Sequence, residues 1–142
     1  MKFGTVFPAR TLPPGYLAWF VKSYLEGCAL GIQPALWSKL WQLPPLYRSG
    51  VRYSLEPGHG SGVEDFALPP DVLRRGVGDC DDLVIWRLAE LWQRYHPTVL
   101  PGLIAAGTVP HCIAEWQFGE LHVLIRMPDG STEDPSALLG MK

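Results

Sequence analysis

The chain has 142 residues, 12 Lys and Arg against 14 Asp and Glu, and a formal net charge of −2. That length fits one domain spanning 1–142, and such a chain buries roughly 70% of its extended surface, enough for a core without disulfide or metal staples. A hydrophobic content of 47% with 18% charged residues excludes a disordered chain, and the near-neutral balance argues against a nucleic-acid binder, which carries a strong basic excess.

Three cysteines, Cys28, Cys80 and Cys112, are an odd count and cannot close a complete disulfide framework. The opening stretch has no unbroken apolar run before Pro13-Pro14, so no secretory signal is expected. Tyr16 to Ile32 carries Lys22 and Glu26, too short and too charged for a membrane span. The expectation is a soluble protein kept in a reducing cytoplasm, with neither membrane nor nucleic acid among its partners.

In chain order, the part from Leu12 to Leu46 reads as helical, so that 1–48 forms a helical N-terminal portion. Pro13-Pro14 can open a helix, and Leu17, Phe20, Val21, Tyr24 and Leu25 recur at helical spacing before Gly27 and Gly31 weaken it. A second helical piece follows Pro34 with Leu36, Trp37, Leu40, Trp41 and Leu43, stopped by Pro44-Pro45. Its tryptophans read as core packing. Val51, Tyr53 and Leu55 alternate with polar residues as a short strand. Pro57 to Gly62 is a loop in which His59 is solvated. It lacks the lysine and following helix of a phosphate-binding loop. Pro69 to Gly76 is a short helix opened by proline and closed by glycine.

Cys80 to Tyr95 is the strongest helix. Its polar residues include Arg87, Glu90 and Arg94, one narrow stripe, so the rest of the cylinder belongs in the core. Leu103 to Ala106 fits a short strand. Cys112 to Phe118 and Leu121 to Met127 alternate as two further strands joined by a tight hairpin at Gly119-Glu120. Helices followed by an antiparallel meander make the chain α+β.

The chemistry concentrates in Gly78-Asp79-Cys80-Asp81-Asp82. It sets Cys80 in the first turn of the central helix, with Asp79 as N-cap and Asp82 as capping-box partner. The partial positive charge of a helix N-terminus stabilises a thiolate, which is the nucleophile. The flanking carboxylates oppose this, so a second cationic group is required near the sulfur. His122 is the best placed. Its strand is expected to bury Leu121, Val123, Ile125 and Met127, leaving His122, Leu124 and Arg126 on the other face. His111 is the runner-up.

A third group should orient the imidazole. Pro128-Asp129-Gly130 fits a three-residue turn ending in a glycine bulge, which pairs Met127 with Ser131, Leu124 with Asp134 and His122 with Ser136. Asp134 is then a diagonal neighbour of His122, roughly 7–8 Å away at the backbone and within side-chain reach. Glu133 and Asp129 are not. Asp134 also reads as the N-cap of a short Pro135 to Leu139 helix ended by Gly140. Cys28 and Cys112 read as core thiols. No Cys-x-x-Cys or His-x-x-x-His pair is present, and adjacent carboxylates on a helix diverge, so neither a metal nor another cofactor is expected.

Arg75-Gly-Val-Gly-Asp-Cys-Asp-Asp-Leu83, His122-Val-Leu-Ile-Arg126 and Asp134-Pro-Ser136 together resemble the transglutaminase-like cysteine peptidase superfamily, and most of all its compact bacterial and bacteriophage members. The resemblance runs from about Tyr53 to Met141, within a core portion 49–142. It implies a papain-like core with Cys80 as nucleophile, His122 as general base and Asp134 as orienting acid. The backbone N–H of Cys80 is the expected oxyanion donor; a second donor is left open. The implied reaction is cleavage of an amide or isopeptide bond in a protein or peptide through an acyl-enzyme, passed to water or to an amine. The alternative is a non-catalytic transglutaminase-like scaffold acting as a phage head or tail assembly or protein-interaction module; the resemblance leaves virion association open beside the cytoplasm.

Overall fold

A computed structural model describes residues 13–55 and 66–141. The loop expected at Pro57 to Gly62, with His59, and the start of the chain lie outside the described residues. The chain is mixed α+β. In order it forms α1 (Pro14–Gly31), α2 (Gln33–Trp37), a 3₁₀ turn (Leu46–Arg48), β1 (Arg52–Tyr53), α3 (Pro69–Arg75), β2 (Val77–Gly78), α4 (Cys80–Trp92), α5 (Leu100–Ala106), β3 (His111–Gln117), β4 (Glu120–Arg126), β5 (Thr132–Glu133) and α6 (Pro135–Leu138). Strands β3, β4 and β5 make an antiparallel meander, while β1 and β2 form a small parallel pair.

Helix α4 is the centre of the core. Leu83, Val84, Ile85, Trp86, Leu88, Ala89 and Trp92 are all buried along it, each large apolar side chain contributing roughly 1.5–3 kcal/mol. Helix α1 lays Leu17, Val21, Leu25 and Ala29 into the same core, and Ile32 follows just past its end. Polar ties register these layers. The Gln33 side-chain amide donates to the Ala29 and Ala89 carbonyls at 3.0 and 3.1 Å, Trp92 Nε1 donates to the Pro110 carbonyl at 2.7 Å, and the Cys112 N–H donates to Glu26 at 3.0 Å. Cys112 is fully buried and Cys28 half-buried, and none of the three cysteines is in a disulfide. Burial pushes the Cys28 and Cys112 thiols above their ordinary range, as fits core residues.

Several elements differ from the sequence expectation. The second helix ends at Trp37 rather than running to Leu43, because Lys39 enters the left-handed region at φ +59. Trp37 and Leu40 consequently face outward, 47% and 76% exposed, while Leu36, Trp41 and Leu43 of that stripe pack against the core. Leu103 to Ala106 is helix α5, not a strand. Pro101 sits in its first turn and Gly107 closes it at φ +72. The first short strand is confined to Arg52–Tyr53, with Leu55 exposed, and α4 stops at Trp92, short of Tyr95. The β3–β4 hairpin turns on Phe118-Gly119 rather than Gly119-Glu120. Gln117 pairs with Glu120, and the two turn residues take φ +53 and +80, the both-positive combination that matches strand twist. Finally, β4 closes both faces. His122 and Leu124 are buried like Val123 and Ile125, whereas Leu121 and Met127 are only half-buried.

Candidate active site

Three local structures build the site. The first is the N-terminus of α4. Asp79 Oδ1 accepts from the Asp82 N–H at 3.2 Å and Asp82 Oδ2 from the Asp79 N–H at 3.4 Å, a reciprocal capping box of two carboxylates. Asp82 does more than cap. Its Oδ1 accepts from the Ala67 N–H at 2.7 Å, fastening the segment that enters α3, and Arg75 approaches at 3.5 Å. Burial, then the charge of Asp79, pushes the Asp82 carboxyl up to about 8, outweighing the opposing pull of the two N–H donors and Arg75. An upward shift of Asp82 lessens the anionic surroundings of Cys80. Gly78 lets this turn close. A Cβ there would meet Val72 Cγ1, Asp82 Cβ and Leu83 Cδ2 at 3.1, 3.2 and 3.3 Å.

The second is the β4–β5 hairpin. Ile125 pairs with Glu133 and Arg126 with Thr132, and the Met127 N–H donates to the Ser131 carbonyl at 2.8 Å. That is the register expected from the three-residue turn. It sets Asp134 diagonal to His122, and Asp134 Oδ2 lies 2.8 Å from His122 Nε2. A carboxylate only accepts, so Nε2 carries a hydrogen and Nδ1 is the nitrogen left to exchange a proton with a substrate or thiol. Asp134 Oδ1 meanwhile accepts from the Ser136 and Ala137 N–H groups at 3.1 and 3.3 Å, capping α6. One carboxylate thus does both jobs, one oxygen each.

The third is a strut that holds β5. Arg87 Nε donates to Glu133 Oε1 at 2.6 Å and Arg87 Nη2 to Oε2 at 3.4 Å, while Nη1 reaches Glu90 at 3.4 Å. The guanidinium also lies 4.9 Å from the Tyr47 ring centroid, and the Tyr47 hydroxyl donates to Glu133. The helix that begins with Cys80 therefore grips, two turns later, the residue preceding Asp134.

Cys80 and His122 line one open cleft of about 690 Å³, together with Tyr53, Asp79, Asp81, Glu120, Leu121 and the hairpin tip Gln117-Phe118. Cys80 Sγ lies 3.9 Å from Asp81 Oδ1, an interaction that favours the thiol over the thiolate. Asp134 stands behind His122. His111 does not line this cleft; its Nδ1 sits 3.4 Å from the Val109 carbonyl oxygen. Sequence reasoning did not place Tyr53, Gln117 or Phe118 here. Tyr53 reaches the cleft because β1 pairs with β2, Tyr53 opposite Gly78, a long-range contact with no local signal. Among the described residues, no cluster of three or more His, Cys, Asp or Glu side chains is arranged to hold a metal ion, and no helix is long and apolar enough to cross a membrane. Comparison with family models, curated proteins and solved structures returns no match.

Proposed function

We propose that this protein is a transglutaminase-like cysteine hydrolase on a papain-like core, cleaving an amide or isopeptide bond in a protein or peptide. The observation that carries the reading is a cysteine at a capped helix N-terminus sharing a cleft with a histidine whose far nitrogen is held by a carboxylate. His122 Nδ1 takes the thiol proton, and the Cys80 thiolate forms a bond to the substrate carbonyl carbon. The tetrahedral oxyanion accepts from the Cys80 backbone N–H. As the intermediate collapses the C–N bond breaks, and the imidazolium gives its proton to the departing amine. A water molecule then loses a proton to His122, attacks the thioester and releases the acid. Asp134 keeps Nε2 protonated and the ring aligned throughout. Water is the default acceptor, since it always reaches an open cleft.

The resemblance to bacteriophage members of the superfamily supports a phage or prophage setting, in the cytoplasm or with the virion. A second reading, a non-catalytic scaffold binding phage structural proteins, draws on exposed Tyr16, Trp19, Trp37 and Leu40. The two separate on incubation with p-nitrophenyl acetate followed by mass spectrometry. The enzyme reading expects acetyl transfer to Cys80 in the native chain and at least a hundredfold slower transfer in His122→Ala. Equal rates in the two proteins favour the scaffold.

A further inference from the structure

The cleft holds few groups able to donate a hydrogen bond to a developing oxyanion. Asp79, Asp81 and Glu120 are carboxylates and can only accept when ionised. Gln117 directs its amide toward Glu115, one N–H donating to Oε1 at 2.7 Å. The last two backbone N–H groups of the lining are used inside the chain's end, Gly140 bonding to Ala137 at 3.4 Å and Met141 to Ser136 at 2.9 Å. His122 is assigned to proton transfer. Among the described residues of the lining, the Tyr53 hydroxyl is the side-chain donor carried on the strand paired to the turn before Cys80.

Tyr53 is rigidly mounted. Its N–H donates to the Leu139 carbonyl at 3.0 Å, and the next N–H, of Ser54, donates to the Gly78 carbonyl at 2.9 Å. The β1–β2 pair sets Tyr53 directly opposite Gly78, two residues before Cys80. The backbone that carries the ring is thereby tied to the turn that presents the sulfur. Burial, and after it the negative charge of Cys80, Asp79, Glu120 and Asp81, pushes the phenol up to about 12. It therefore keeps its proton across the working pH range and acts as a donor, not a base.

We infer that Tyr53 is a catalytic residue, the second oxyanion donor, whose hydroxyl joins the Cys80 backbone N–H in binding the tetrahedral intermediate. This assignment rests on the hydrolase reading. The Tyr53 O–H bond stays intact; the hydroxyl donates a hydrogen bond that strengthens as charge builds on the substrate oxygen, and no proton is transferred.

Two reagents isolate the role. Iodoacetamide alkylates a thiolate by displacement and forms no oxyanion, whereas p-nitrophenyl acetate acylates through a tetrahedral one. In Tyr53→Phe the iodoacetamide rate at Cys80 should stay within twofold of wild type, which also reports that the site has folded. The acetyl-transfer rate should fall at least tenfold. Equal acetylation rates, or a parallel fall with both reagents, would overturn the assignment. The hydrolase reading fails separately, and takes the assignment with it, if native wild-type Cys80 is acetylated no faster than the unfolded chain.

Discussion

Asp134 divides its two oxygens between two tasks, and substitution can separate them. Oδ1 caps α6 through two N–H groups, and Oδ2 holds His122 Nε2 at 2.8 Å. Asp134→Ala removes both. Loss of an N-cap costs about 1 kcal/mol, which lowers the midpoint of thermal unfolding of a chain this size by roughly 3–4 °C. Asp134→Asn keeps the cap, since asparagine caps as well as aspartate, and should unfold within about 0.5 kcal/mol of wild type. Its amide, however, presents N–H donors or a weaker acceptor to Nε2 and favours the wrong imidazole tautomer. A comparable substitution in a well-studied triad lowers turnover on the order of 10⁴-fold with geometry intact. The expectation here is a fall in Cys80 acetyl transfer on the order of 10²–10⁴-fold in both variants, with a stability loss confined to Asp134→Ala. Urea unfolding and the acylation rate together give the readout. A variant series in which rate falls only in step with stability would refute the division of roles and leave Asp134 as a helix cap alone.

Three further outcomes follow from the same geometry. Asp81→Asn removes the carboxylate 3.9 Å from the sulfur and should move the midpoint of Cys80 alkylation by iodoacetamide to lower pH; an unchanged or higher midpoint would show that Asp81 does not oppose the thiolate. The Asp82 carboxyl is raised from 3.8 to about 8 in the folded chain, so the folded state holds a proton that the unfolded chain has shed. Its contribution to stability is complete below about pH 4 and declines as pH climbs to 8, by up to about 1.4 kcal/mol per pH unit. Urea titrations across that window should show a shallower decline in Asp82→Asn than in wild type, and parallel slopes would contradict the cause assigned. Arg87→Met strands Glu133 half-buried without its guanidinium partner and should cost roughly 1–3 kcal/mol. The double variant Arg87→Met/Glu133→Gln should recover part of that loss, and a fully additive pair would deny the strut.

Much of this arrangement is written locally. Asp79 and Asp82 three residues apart specify the capping box, and Asp134-Pro135 specifies a capped turn. The three-residue turn ending in Gly130 sets a register that leaves one aspartate, not its neighbour, diagonal to His122. Period alone separated α4 from the strands beyond it. What was not legible depends on partners distant in sequence. The run Leu103 to Ala106 is too short for its period to tell strand from helix, and the positive φ at Gly107 decided it. Phe118 took a turn position that alternation had assigned to a strand. Lys39 left the helix in a conformation its residue type does not advertise. Tyr53 belongs to the cleft only through a parallel pairing with Gly78, and the Arg87–Glu133 grip joins residues 46 apart. Burial on both faces of β4 likewise depends on what packs over it, not on its own pattern.

The central claim is that an imidazole at position 122 sustains a thiolate at position 80. The most direct measurement is the pH dependence of Cys80 alkylation, followed by mass spectrometry in wild type and His122→Ala. The account predicts a wild-type rate that persists well below the ordinary thiol range near 8.5, and at least a tenfold loss at pH 6 without the histidine. Two superimposable profiles, both tracking an ordinary thiol, would contradict it.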